Sequence, residues 1–220
     1  MTVRKIRALL LLVLLVPAAA HAQFRKEQWE GYFFPTVTDS KNYTFEGGTS
    51  VRQDMGFGFG FGFAKNLNPH LNLGGELSWG SANYRATVQP GVGNSNTPQT
   101  INGYVETYTV RFHGTYNILQ GNFTPFVTGG LGWTYIDTNI PNSLPQNVCW
   151  YYPWYGTVCG TYVSTAATTR FSYNGGAGLR YDFTREFFGR AWVNFQSVDF
   201  GGNYGGTYWT QGRLDFGFKF

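Results

Sequence analysis

Cys149 and Cys159 are the chain's two cysteines, and between them stand Trp150, Tyr151, Tyr152, Trp154 and Tyr155 around Pro153. Thiols at this spacing either oxidise to a disulfide or hold a metal. With no histidine or clustered carboxylate nearby, the metal reading is the weaker one, and a disulfide is expected wherever the compartment is oxidising. Aromatic side chains on so constrained a loop are the types that dominate binding hot spots, which makes a ligand-binding tip one expectation. The other is that they pack on a rim or rest in lipid headgroups.

General-base or nucleophilic chemistry would need a histidine beside a serine or an acid. Past position 22 the chain offers His70 and His113. His70 adjoins a turn and His113 shares a strand side with Arg111, so structural hydrogen bonding is expected of both. No catalytic residue, cofactor or metal site is assigned, and the chain is read as not an enzyme. The glycine-phenylalanine run from Gly56 to Phe63 lacks the Lys-Ser/Thr and following helix of a phosphate loop. A further group is ionic. Glu30, Glu76, Asp182 and Asp215 can be set against Arg111, Arg180, Arg190 and Arg213, either as a satisfied ion-pair network or as the lining of a narrow gated pore.

What positions these residues is a strand pattern of period two. Eight strands are predicted: Trp29 to Val37, Met55 to Ala64, His70 to Ala82, Tyr104 to Ile118, Phe123 to Ile136, Arg170 to Phe183, Phe187 to Val198 and Tyr208 to Phe220. In the last, Leu214, Phe216, Phe218 and Phe220 alternate with Arg213, Asp215, Gly217 and Lys219. In the second, Phe57, Phe59, Phe61 and Phe63 oppose Gly56, Gly58, Gly60 and Gly62. The first strand fits least well, because Tyr32 and Phe34 fall on the side of Glu30. Once parity is set by the apolar residues, Glu30, Glu76, Arg111, Arg180, Asp182, Arg190, Arg213, Asp215 and Lys219 share the opposite side, and Glu106 breaks the rule. Inward glycines on the second strand would leave room for a small water path.

Links between strands alternate in length. Lys65 to Pro69, Leu119 to Asn122 and Thr184 to Glu186 are short, whereas Thr38 to Asp54, Asn83 to Gly103, Asp137 to Thr169 and Asp199 to Gly206 are long. Short turns on one side and long loops on the other, with an even strand number, are the plan of a barrel in a bacterial outer membrane. Rows of phenylalanine then face lipid and the ionic side chains face the axis. A sheet edge is not tolerated in hydrocarbon, so the first strand must pair with the last. Trp79, Trp133, Tyr135, Tyr173, Tyr116 and Tyr181 are expected in the interfacial girdles. A soluble sandwich or lipocalin-like barrel would have to bury all nine charges or expose those rows of phenylalanine.

The N-terminus carries Arg4, Lys5 and Arg7, an apolar run from Ala8 to Val16, and Ala20-His21-Ala22. That is the form of a secretory signal peptide over 1–22, leaving residues 23–220 as the mature barrel. Its run is too short for a spanning helix, which needs about 20 residues. Loss of its three cations takes the formal charge from +4 to +1. The remaining cations are scattered, which excludes a nucleic-acid partner. With 30 Gly, 20 Phe, 15 Tyr, 7 Trp and only 13% charged residues, the chain is too aromatic to be disordered.

On these carriers, together with Phe123-Thr124-Pro125-Phe126 through Gly129-Gly130-Leu131-Gly132, the chain resembles the small eight-stranded outer-membrane barrels. These comprise the OmpA transmembrane domain, OmpX, the Ail/Lom adhesins and the OmpW-like proteins. The resemblance implies an all-β, eight-stranded antiparallel up-and-down transmembrane barrel in a Gram-negative outer membrane, among its lipids and lipopolysaccharide. Phe216, Phe218 and Phe220 resemble the signal read by the barrel-assembly machinery, which implies that machinery as a transient partner. No segment before Phe220 resembles the peptidoglycan-binding domain that accompanies OmpA. The expected function is a structural or surface-interaction barrel of adhesin-like type with an extracellular ligand. A small porin-like diffusion channel comes second and a lipid-modifying enzyme third.

Overall fold

The computed structural model describes residues 25–44, 50–88, 97, 99–141, 146–154, 156–162, 165–199 and 206–220. The expected signal segment and Tyr155 lie outside them. Every regular element among the described residues is a strand: β1 (Trp29–Thr38), β2 (Lys41–Thr44), β3 (Ser50–Gln53), β4 (Gly56–Asn66), β5 (Leu71–Val88), β6 (Gln99–Asn117), β7 (Phe123–Pro141), β8 (Gln146–Tyr152), β9 (Gly156–Tyr162), β10 (Thr165–Asp182), β11 (Phe187–Asp199) and β12 (Gly206–Lys219).

Eight of these close a ring by antiparallel pairing. Its order is β1, β4, β5, β6, β7, β10, β11, β12, and the last strand pairs with the first. The β2–β3 hairpin continues the β1–β4 hairpin past breaks at Asp39 and Asp54, and β3 joins the outer end of β5. The β8–β9 hairpin forms a separate two-stranded sheet. The strands next to the long links outrun the alternating pattern: β5 reaches Val88, β6 starts at Gln99, β7 reaches Pro141 and β10 starts at Thr165. Past the apolar belt the outward positions need no longer be greasy, so the period-two signal fades. The hydrogen-bond ladder continues wherever a partner strand keeps pace.

The short links are sealed by their own side chains. Asn68 Oδ1 accepts from the His70 and Leu71 amides at 2.8 Å each. Thr184 Oγ1 accepts from Glu186 and Phe187 at 3.2 and 2.9 Å, and Thr124 Oγ1 from Leu119 at 2.9 Å. These are the side-chain turns that Asn and Thr favour.

The barrel is inverted relative to a soluble one. Phe57, Phe59, Phe61 and Phe63 of β4 and Leu214, Phe216 and Phe218 of β12 are exposed on the outside, while all nine ionic residues of the inward set are buried. Glu106 does face outward, beside Tyr108, whose hydroxyl donates to it at 3.2 Å. Inside, the glycine side of β4 is not open. A β-carbon at Gly60 would overlap the ring of Phe34, and one at Gly62 the ring of Tyr32. The expected room for water along this wall is therefore filled by two rings of β1, which is why Tyr32 and Phe34 share the side of Glu30. Trp192 lies over Gly176 and Gly178, and Phe188 over Gly217, in the same way.

The closing joint of the ring is irregular. The β1–β12 register breaks off after Phe33↔Phe216 and resumes at Thr36↔Arg213. Counting by twos from the doubly bonded pair Trp29 and Phe220, Pro35 opposite Leu214 is a position where both amides should donate. Proline has no N–H, so one bond of the closing ladder is missing midway.

Candidate functional site

Two layers of charge fill the barrel interior. In the layer near the short turns, Arg180 grips Glu30 through both nitrogens, at 2.7 and 3.1 Å. It also donates to Asp182 Oδ1 at 2.9 and 3.1 Å. Lys219 reaches the same oxygen at 3.1 Å, and Asn66 donates to Glu30 at 2.7 Å. Arg25, just ahead of β1, closes this end: its Nε donates to Asp182 Oδ2 at 2.7 Å, and its terminal nitrogens to the carbonyls of Leu119 and Gly121. Arg25 is buried, and nothing in its local pattern marks it, since it precedes the alternating strand. Only the fold brings it to the turn between β6 and β7.

The second layer sits midway along the barrel. Arg213 takes Glu76 with both terminal nitrogens, at 2.7 and 2.8 Å, and Asp215 with Nε at 2.7 Å. Arg111 pairs with Glu76 through Nη2. Arg190 Nε stands 2.8 Å from Asp215 Oδ2, close enough for an ion pair although too poorly aligned for a hydrogen bond. Trp192 Nε1 donates to Asp215 at 3.2 Å. The guanidinium of Arg213 lies 3.2 Å from the centre of the Phe34 ring, and that of Arg190 4.4 Å from Tyr32, so the rings over the glycines also face the cations. Carboxylates bound by two or three guanidinium or ammonium groups are the arrangement in which buried charge is tolerated.

Toward the long loops neutral hydrogen-bonding groups make up most of the lining, with Arg170 among them. Thr109 and Thr134 are 3.0 Å apart, Gln196 donates to Thr134 at 3.0 Å, and Asn194 bridges Asn174 and Gln211 at 2.8 Å each. Two interior cavities lie among these layers, one of about 40 Å³ bordered by Arg111, Thr107, Thr109 and Gln196, the other of about 10 Å³ beside His113 and Glu76.

The histidines have structural partners. His113 Nε2 is 3.2 Å from the Tyr32 hydroxyl inside the barrel, while His70 Nδ1 is 2.6 Å from the Asn117 carbonyl and its Nε2 2.9 Å from Gln120. Among the described residues no group of three His, Cys, Asp or Glu side chains could hold a metal. Arg170 also faces inward, half-buried, next to Ser172 on β10; it began the sixth predicted strand and belongs with the interior cations.

At the far end of the long loops Cys149 and Cys159 are disulfide-bonded and face one another in the β8–β9 ladder. The end of this hairpin carries Tyr151 and Tyr152 in the last rungs of its ladder and Trp154 in its turn, all exposed, Trp154 to 90%. Trp150 is in the ladder opposite Val158; its side chain lies outside what the structure describes. Between Asp137 and Arg170 there is no charged residue.

No curated protein matches the chain. Among solved structures it is similar to the outer membrane protein OprG of Pseudomonas aeruginosa (13% identity, 89% of this chain and 97% of that one, TM-score 0.51). It is also similar to Neisserial surface protein A (12% identity, 87% and 95%, TM-score 0.50), and to Ail, the attachment invasion locus protein of Yersinia pestis (12% identity, 89% and 99%, TM-score 0.49). At these identities the likeness concerns the fold. The model of the outer membrane protein beta-barrel domain matches residues 8–220, so the chain belongs to that family and resides in the outer membrane of a Gram-negative bacterium.

Proposed function

We propose that this protein is a surface-interaction barrel, in which the β8–β9 hairpin makes the contact and the filled barrel serves as its mount in the membrane. The observation that carries this reading is the exposure of Tyr151, Tyr152 and Trp154 at the tip of a hairpin closed by Cys149–Cys159. Large rigid aromatics lose little side-chain entropy on binding, and a cross-link holds them in place beforehand. Trp150 and Tyr155, neighbours in sequence whose side chains lie outside what the structure describes, are counted with them in this proposal. The reading is non-enzymatic, since His70 and His113 already serve as hydrogen-bond partners within the fold.

The test is a surface-display assay on immobilised glycans and matrix proteins. Replacing Trp150 and Trp154 by Ala is expected to abolish attachment while heat-modifiable gel migration, the sign of a folded barrel, stays intact. Undiminished attachment by the folded variant would refute the proposal.

Two further parts of the reading concern biogenesis. Residues 1–22 are proposed to be removed as a signal peptide, with mass spectrometry of the outer-membrane form expected to begin at Gln23. Phe216, Phe218 and Phe220 are proposed as the assembly signal; all three are exposed on the lipid side, where a receptor strand could read them before closure. Phe220→Ala, which keeps the two backbone bonds to Trp29, should lower the assembled fraction without changing the melting of what assembles.

A further inference from the structure

We infer that Arg52 and Arg85 form a binding site for the phosphate of an outer-leaflet glycolipid headgroup, on the outer wall of the barrel beyond its lipid-facing belt. The two arginines are far apart in the sequence, and strand pairing brings them together. Asn42 stands opposite Arg52, Arg52 opposite Arg85, and Arg85 opposite Asn102. One rung across β2, β3, β5 and β6 therefore carries amide, guanidinium, guanidinium and amide. Directly opposed side chains share a face, with β-carbons about 5 Å apart. That face is the outward one, because the chain neighbours Gln53 and Tyr84 are buried while all four members of the rung are exposed.

Like charges set directly opposite each other destabilise a sheet. Asp54, 3.5 Å from Arg52 Nε, offsets one of the two. Arg85 turns its Nε to Asn102 Oδ1 at 3.2 Å, a neutral partner that leaves its charge unanswered among the described residues. A phosphate resolves the conflict, since its oxygens accept from two neighbouring guanidinium groups at once.

The surroundings decide which phosphate. The outward side of β5 reads Leu73, Leu77, Trp79, Ser81, Asn83 and Arg85 in chain order, passing from aliphatic to ring to polar to cation. A ligand that follows this face is an amphiphile with its chains against the barrel. Arg85 is six residues past Trp79, which on a strand tilted by about 40° is about 15 Å farther from the hydrocarbon. The headgroup layer of a phospholipid is only about 5–8 Å deep, so the phosphate at this rung stands on a taller headgroup, one built of sugars. Hydroxyls in the next rung outward, from Ser50, Thr87 and Thr100, suit such a headgroup. The inference is independent of what the β8–β9 hairpin binds.

Native mass spectrometry of the mature protein in non-ionic detergent, with defined lipids added, tests the assignment. Bisphosphorylated lipid A is expected to form a one-to-one adduct, at least roughly tenfold stronger than that of its dephosphorylated form or of phosphatidylglycerol. Arg52→Gln combined with Arg85→Gln should weaken the adduct by a similar factor, whereas Lys26→Gln, an exposed cation at the opposite end of the barrel, should leave it unchanged. Equal binding of the dephosphorylated lipid or of phosphatidylglycerol would overturn the assignment, as would an undiminished adduct in a double variant that keeps heat-modifiable migration. Displacement by free glucosamine phosphate would make the ligand a soluble one and overturn it too. Should the double variant fail to fold, the three lipids compared on the unaltered protein still give the answer.

Discussion

Arg180 and Glu30 illustrate how single residues bear on this barrel. Both are buried and paired through two bonds, so Glu30→Gln leaves a guanidinium leaning on Asp182 alone and is expected to cost about 3–5 kcal/mol. Urea unfolding of the barrel in lipid vesicles measures this. Glu30→Leu combined with Arg180→Met should cost less than the sum of the two single changes, because neither charge is stranded. The rings over glycines give a second residue-level prediction. Gly60→Ala forces a methyl into Phe34 and should destabilise by about 1–3 kcal/mol. That cost is expected to shrink in a Phe34→Leu background, where the branched chain can move aside. Both effects follow from an interior that is packed and charge-paired, not wet.

The elements differ in how legible they are from sequence. β12 and β4 declare themselves, because Phe216 and Phe218 against Arg213 and Asp215, or Phe61 and Phe63 against Gly60 and Gly62, repeat one contrast of side chains at every step. β1 is harder to read: Tyr32 and Phe34 are inward rings whose partners are glycines on the neighbouring strand, a relation between strands that no single-strand pattern contains. Arg25 and its bonds to Asp182 and the Leu119 and Gly121 carbonyls are invisible for a related reason, since they depend on where the turn after β6 lands. The β8–β9 hairpin falls within the long link Asp137 to Thr169, where the sequence marks aromatics and cysteines but predicts no ladder. A prediction at this scale concerns that hairpin. With Cys149 and Cys159 both replaced by Ser, limited proteolysis is expected to cut between β8 and β9, while the melting temperature of the barrel stays as in the unaltered protein. A fall in barrel stability would show that the hairpin braces the ring.

At the scale of the whole molecule, the two charged layers and the rings beside them border cavities of about 40 and 10 Å³, room for about one to three waters each. Reconstituted protein is therefore expected to show no discrete conductance steps in planar bilayers, and steady steps altered by Arg213→Gln would restore the channel reading. The joint between β1 and β12 offers another test. Pro35→Ala supplies the missing donor to the ladder and should raise unfolding stability by about 0.5–1.5 kcal/mol, read by urea titration in vesicles. These two strands lie farthest apart along the chain, so theirs is the costliest ring pairing to close and is expected to form last. A gap at Pro35 divides that final ladder into two short runs, Glu30 to Phe33 and Thr36 to Thr38. Each run can fasten by itself, so closure becomes a two-stage event, and either run can come undone while its neighbour keeps the cylinder shut against lipid.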